Sequence, residues 1–311
     1  MKLSRLGEFA LIEKIRRRTP AGRGVRIGIG DDAAWVDHPA RSSLITADLL
    51  IEDIHFNLNW TSFADLGHKS LAVNLSDIAA MGGVPAYAIL SLGIPANYDS
   101  QLIDDFYRGF STLAKSSKVY LVGGDTNVAN SLIISVCVIG QSPFAPIRRS
   151  GAKAGDDIYV TGTLGDSALG LKYLQQKKPS IKPGPLAYLT SRHHRPTPRL
   201  AAGAALAKYR LSSAMIDVSD GLLQDLGHIC QASVIGAVVW NEQLPLSAAY
   251  RAVAGKDGTR YALGGGEDYE LLFCARPSAR EQIRKLTKVA GVAITRIGSC
   301  ASAREGITVV D

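Results

Sequence analysis

The sequence predicts an α+β chain of two domains, and three observations lead there. A length of 311 residues suits two domains better than one, and 46% hydrophobic residues are enough for ordinary packed cores. Strand-like and helix-like segments follow one another without strict alternation, which argues for two α+β layers rather than a doubly wound parallel sheet. The small, polar stretch Arg148-Arg149-Ser150-Gly151-Ala152-Lys153-Ala154-Gly155 interrupts the pattern, so the boundary is set there, dividing residues 1–148 from 149–311.

Phe9, Ile12 and Ile15 recur at helical spacing and predict an opening helix. A turn over residues 20–24 leads into a short strand, 25–29, that runs into Gly30-Asp31-Asp32. Residues 44–47 read as a second strand ending at Asp48. Ser62 with Asp65 three positions on reads as a helix start, opening a helix that carries Lys69, Asn74 and Asp77. A strand over 87–92 closed by Pro95, a helix over 99–116, a strand over 119–122 ending in Gly123-Gly124-Asp125-Thr126, and a strand over 132–139 complete the first half. The second half reads as strands over 157–161, 214–217, 234–240 and 269–274, helices over 199–209, 220–230 and 278–289, a further helix after Gly165, and a strand-like end. His193 and His194, before Arg195-Pro196, read as a surface loop leading to a helix start.

A net charge of +7 raises nucleic-acid binding as a possibility. The basic residues lie in short scattered groups without interleaved aromatics, so no nucleic-acid partner is expected; a basic surface also draws in polyanionic substrates. No apolar run approaches the roughly 20 residues that span a bilayer, and the first residues lack a signal peptide's continuous apolar stretch. The expected setting is cytoplasmic, with no membrane partner. Cys137, Cys230, Cys274 and Cys300 form no CxxC pair and read as free thiols.

The chemical signal is the placing of aspartates. Asp31 and Asp32 lie in GIGDDAA, Asp48 in ITAD, Asp125 in VGGDT and Asp217 in MIDVSDG, each beside small residues, with Asp220 three positions after Asp217. Asp77 falls inside the helical pattern NLSDIAAMGG. A lone aspartate at a strand end is more often a turn former or cap, but capping does not explain Asp77 or the joint pattern. Two carboxylates about 4 Å apart repel by roughly 4 kcal/mol at an effective dielectric of 20, so several share one site only with protons or cations present. Oxygen ligands without His or Cys favour magnesium (Mg2+) or manganese over zinc. GIGDDA also fits the GxGxxA dinucleotide pattern, but its two carboxylates would repel a pyrophosphate. The Walker-A pattern and the protein-kinase signatures are absent.

The blocks GEFALI, GIGDDAA, TADLLIEDIHF, KSLAVNLSDIAAMGG, LVGGDTN, RRSGAKAGDDIYVTGTLGDSALGL, RHHRPTPR, IDVSDGLLQDLGHI and GGGEDYELLF, in this order over nearly the whole chain, resemble the thiamine-monophosphate kinase family. The resemblance implies the two-domain aminoimidazole-ribonucleotide-synthetase-like fold: an N-terminal mixed sheet that forms a barrel in a homodimer, and a C-terminal α/β layered domain. It implies ATP as co-substrate and thiamine monophosphate as acceptor. By matching motif, Asp32, Thr46, Ala47 (through its backbone oxygen), Asp48, Asp77, Asp125, Asp217 and Asp220 look like magnesium ligands. Gly124, Asp125, Arg149, Ser219 and Tyr107 look like nucleotide contacts, and His55 and Glu267 like contacts to thiamine phosphate. Asp77, Asp125, Arg149 and Asp220 are the catalytic candidates. The family pattern continues into a segment with a ring-stacking aromatic, whereas this sequence stops at Asp311 after ITVV. The rival readings are another ATP-dependent enzyme of the same fold, similar to aminoimidazole-ribonucleotide synthetase, and a non-catalytic nucleotide-binding protein.

Overall fold

A computed structural model describes residues 25–27, 31–37, 42–176, 181–255 and 258–311. The expected opening helix over Phe9–Ile15 lies outside the described residues. The first half builds a six-stranded sheet in the order β1-β2-β3-β6-β4-β5: β1 Val25–Ile27, β2 Ala34–Asp37, β3 Ser42–Ile51, β4 Val84–Ile94, β5 Tyr120–Val128 and β6 Ile133–Gln141. All neighbours are antiparallel except β4 and β5, which run parallel.

Two helices, α1 (Phe63–Ala80) and α2 (Ser100–Ser117), cover one face of this sheet. Ser62 caps α1 by accepting from the Asp65 amide, and Asp99 caps α2 by accepting from Gln101, as expected of such residues at helix starts. Alternate residues of β6 (Ile134, Val136, Val138) are buried beneath the helices. The opposite face carries exposed Leu49, Tyr87 and Ile89, and β5 is exposed along its length, with Tyr120 and Val128 prominent.

The second half forms another six-stranded sheet, β12-β9-β11-β7-β10-β8, from β7 Asp157–Thr161, β8 Ala214–Asp217, β9 Gly236–Trp240, β10 Leu271–Ala275, β11 Ile294–Ala301 and β12 Ile307–Val310. It is antiparallel except for β12 on β9. The strands β7, β8 and β10 are buried at every position, because this sheet has a core on each face. One core packs it on α3 (Asp166–Leu174), α4 (Pro183–His194), α6 (Leu222–Ser233), α7 (Ala248–Val253) and α8 (Arg260–Gly264). The other holds α5 (Leu200–Lys208) and α9 (Arg280–Ala290), together with Ala79 and Ala80 of α1. The expectation of two layers therefore fits the first half, while the second has three.

Three further differences bear on the site. Asp48 and Asp125 do not end their strands. β3 runs on because Leu49, Leu50 and Ile51 continue the ladder with Ser135, Ile134 and Ile133. β5 runs through Gly123-Gly124 to Val128 because it is parallel-paired with β4, and Gly124 is needed there: a Cβ would stand 1.7 Å from the Leu90 carbonyl oxygen. His193 and His194 end the helix α4 instead of lying in a loop, and His193 is buried.

The two halves meet along α1, which is buried nearly all round. Gly203 of α5 packs so closely on it that a Cβ would fall 2.0 Å from the Ala79 carbonyl oxygen. Among the described residues no helix is long and apolar enough to cross a membrane.

Candidate active site

The aspartates converge where α1 crosses both sheets. Along β3 the even positions face the helices, so Thr46 and Asp48 point toward α1 while Ala47 is exposed on the other face. Thr46 donates its hydroxyl to Asp77 Oδ2 at 2.5 Å, and Ser76, one residue earlier on α1, donates to Asp217 Oδ2 at 2.5 Å. Asp217 is the last residue of β8 and Asp77 sits near the end of α1, so both domains contribute. Ligand oxygens of Asp32, Asp77 and Asp217 all lie within 4.8 Å of one another. Asp32 Oδ1 accepts from Arg149 Nη2 at 2.6 Å, whereas its Oδ2 is buried and has no hydrogen-bond partner.

The charges show the strain of this crowding. Burial, then the neighbouring Asp217, Asp48 and Asp32, hold the Asp77 carboxyl well above the usual carboxylate range, and Thr46 offsets only part of this. Burial and Asp32 do the same to Asp217. Burial pushes Asp48 up to about 6, and burial with Asp32 pushes Asp31 up to about 6. Such groups accept protons, or a cation, far more readily than a surface aspartate does. An oxygen-only donor set with an orphaned carboxylate oxygen suits a hard divalent cation.

Asp220 does not join this cluster. It lies with Asp225 and His228 of α6, with ligand atoms again within 4.8 Å. Asp225 accepts from the amides of Asp220 and Gly221, at 3.1 and 3.0 Å, and burial followed by the Asp220 charge raises its carboxyl to about 7. Gly124 and Asp125 also stand apart. The ladder Asp48, Val136, Leu90, Gly124 crosses three strand spacings, about 14 Å. There Gly124 and Asp125 of β5 line, with Leu90 and Tyr107, an open pocket of about 480 Å³ at the exposed sheet edge. The expected nucleotide contacts thus occupy two places in one chain, with Tyr107, Gly124 and Asp125 in one and Arg149 beside Asp32 in the other.

Ser219 precedes Asp220, and its carbonyl accepts from the Glu267 amide at 2.8 Å. Glu267 has a left-handed backbone, φ 65°. Its carboxylate meets Lys69 Nζ at 2.9 Å and His193 Nδ1 at 3.1 Å. Burial opposes its charge, but Lys69 and His193 outweigh burial and bring the carboxyl down to about 2. His55 is exposed in the turn after β3, and its Nδ1 accepts from the Ile51 amide at 3.1 Å. Sequence reasoning assigned no role to Ser76, Lys69, His193 or Asp225. Ser76 adjoins Asp77 in NLSD, a signal that was available; the pairings of Lys69 and His193 with Glu267 are long-range and leave no local pattern.

Comparison with known proteins agrees with this architecture. The AIR synthase related protein N-terminal domain family matches residues 30–142, and the corresponding C-terminal domain family matches 153–311. The fold is thus that of the AIR synthase related proteins, whose N- and C-terminal domains match this chain in tandem. Thiamine-monophosphate kinase of Salmonella typhimurium is 42% identical over 308 residues, covering 98% of this chain and 93% of that protein. The Bacillus subtilis kinase of the same name is 36% identical, covering 94% and 91%. A solved structure described as AaThiL complexed with AMPPCP and TMP superposes with a TM-score of 0.89 at 34% identity, covering 99% of this chain and 95% of that one. The chain belongs to the thiamine-monophosphate kinase family.

Proposed function

We propose that the protein transfers the γ-phosphoryl group of ATP to thiamine monophosphate, giving thiamine diphosphate and ADP, in a magnesium-dependent reaction. The observation that carries this reading is the meeting of Asp32, Asp77 and Asp217 within 4.8 Å, with Asp32 Oδ2 unpartnered. Asp32, Asp48, Asp77 and Asp217, with Thr46 and the Ala47 carbonyl beside them, would hold the metal, and Asp220 an outlying ion. Bound there, magnesium supplies charge neutralisation and alignment of the phosphates. The acceptor is a phosphate monoester whose second pKa is near 6, so its oxygen is already anionic at neutral pH and needs no general base. That oxygen attacks the γ-phosphorus as the bond to the ADP oxygen breaks. Arg149, paired with Asp32, offers its guanidinium to the anion, while His55 and Glu267 would contact thiamine phosphate and Ser219 the nucleotide.

Residues 1–148 would carry ATP, magnesium and dimerisation, and 149–311 would complete the site. The open apolar sheet face and exposed β5 support a homodimer joined through the N-terminal sheets, with Tyr107, Gly124 and Asp125 brought to the nucleotide at that seam. A cytoplasmic setting, where ATP is supplied, fits this reading. The rival aminoimidazole-ribonucleotide-synthetase-like activity is not favoured, since the relatives at 35–42% identity are thiamine-monophosphate kinases. A coupled assay of ADP release tests the proposal. Release should require both magnesium and thiamine monophosphate; ADP release indifferent to thiamine monophosphate would overturn it.

A further inference from the structure

The segment from Gly265 to Glu270 is pinned by an unusual density of polar contacts. Asp268 is buried and accepts from the amides of Gly165 and Ser167, at 2.5 and 3.2 Å. Glu270 is fully buried and gripped by Arg192, Arg199 and the Thr161 hydroxyl. Between and beside them, Glu267 and Tyr269 both hold left-handed backbones, φ 65° and 52°, an arrangement that persists only where surroundings enforce it.

Glu267 differs from the other two acids. Its two partners approach from buried positions in different domains: Lys69 from α1, with its side chain 3% exposed, and His193 from the last turn of α4, 5% exposed. Glu267 itself remains 30% exposed. Each carboxylate oxygen therefore has one fixed donor behind it and free lone-pair capacity in front. His193 Nδ1 also lies 3.1 Å from Ser167 Oγ, so as a donor its single N–H is shared between the Glu267 carboxylate and the Ser167 hydroxyl oxygen. Lys69 also stands eight residues before Asp77 on the same rigid helix, about 12 Å along its axis. One helix therefore sets the spacing between Glu267 and the aspartate cluster.

We propose that Lys69 and His193 are positioning residues that hold the exposed edge of the Glu267 carboxylate at a fixed distance from the aspartate cluster, so that it receives the cationic ring portion of the acceptor. This rests on the reading of Glu267 as a thiamine-phosphate contact. The pair is matched to a cationic ligand: two buried donors keep the carboxylate ionised and aimed, and its outward lone pairs remain for the ligand's positive or N–H groups. Both residues act through Glu267, and Lys69 stands eight residues along α1 from Asp77, so their loss should fall on acceptor recognition and not on ATP.

The test uses steady-state kinetics of the full chain with Lys69→Met, Lys69→Arg, Glu267→Gln and the Lys69→Met/Glu267→Gln double variant, each with its thermal midpoint. The double variant removes both charges, so it keeps the comparison available should an unpaired buried carboxylate unfold the Lys69→Met protein. His193→Phe and His193→Gln give a second route, the glutamine keeping an N–H donor. The expected result is a rise of about tenfold or more in the KM for thiamine monophosphate for Lys69→Met, Glu267→Gln and His193→Phe, with the KM for ATP within about twofold. The double variant should be no worse than Glu267→Gln, and Lys69→Arg and His193→Gln should recover most of the loss. If Glu267→Gln raises that KM while Lys69→Met and His193→Phe lower only the thermal midpoint, the positioning role is overturned and the Glu267 contact stands. If Glu267→Gln leaves the KM unchanged, the contact reading falls and the positioning role with it.

Discussion

Replacing Asp77 by Asn should separate stability from activity in opposite directions. The substitution keeps the side chain's shape and an oxygen that can accept from Thr46, but removes one negative charge from the cluster. At the 4.8 Å limit that encloses the Asp32, Asp77 and Asp217 ligand atoms, each charge pair repels by roughly 3.5 kcal/mol at an effective dielectric of 20. Proton uptake by the raised Asp77 carboxyl limits how much of this repulsion the cation-free protein bears, so the relief at pH 8 should not exceed one such pair energy, roughly 3.5 kcal/mol. For a chain of this size that is a rise of at most several degrees in the unfolding midpoint. The assay is thermal unfolding in EDTA and in magnesium with a non-hydrolysable ATP analogue, alongside ADP release. The variant should be more stable than wild type in EDTA, gain less from magnesium and nucleotide, and retain under about a tenth of the turnover. A variant that is less stable in EDTA yet still active would refute the account of Asp77 as a charge held in place for a cation.

Two more outcomes follow from particular groups. Asp31 and Asp48 titrate near 6 and Asp225 near 7 in the folded chain against 3.8 for an ordinary aspartate, so the folded state holds more protons across that interval. Without cations these three carboxyls should favour the fold most on the acid side and lose that contribution as pH rises from about 4 to about 7, against the opposite trend of His68, His193, His194 and His228, whose pKa values burial lowers. Magnesium should remove the carboxyl part, read as the difference between the midpoints in MgCl2 and in EDTA growing with pH over that range. Gly124→Ala places a Cβ against the Leu90 carbonyl and should pry β5 from β4. The expected readout is a lower midpoint and, in any folded fraction, a KM for ATP raised more than that for thiamine monophosphate.

The sequence made the class of fold and most of the acidic residues legible because both depend on local signals. Ser62 and Asp99 announce their helices, apolar runs such as LLFCA announce buried strands, and the aspartates stand out against small and apolar neighbours. Where strands stop was less legible, because pairing decides it. The local pattern ends the second strand at Asp48, yet partners on β6 carry the ladder on through Leu49–Ile51, and pairing with β4 carries β5 through two glycines. The helix α4 escaped notice because Pro183, Gly184 and Pro185 open it, a composition that reads as a turn although proline suits a first helical position. His193 was consequently misread as a surface residue. Which aspartates share a site was not legible either: Asp220 and Asp217 are three residues apart, yet they fall in different clusters because one ends a strand and the other begins the turn into α6.

The insertion of Ala79 and Ala80 into the second domain's core has a consequence for how the molecule can move and be divided. Because those methyls lie on the helix that carries Asp77, the first domain cannot swing away without uncovering apolar surface in the second. Cutting the chain near residue 148 would leave each fragment with a bare patch where the other had been, so both pieces should aggregate or stay unfolded, and mixing them should restore what neither has alone. Access for substrates must then come from side chains and turns at the rim, with the two halves of the aspartate cluster kept in fixed register throughout.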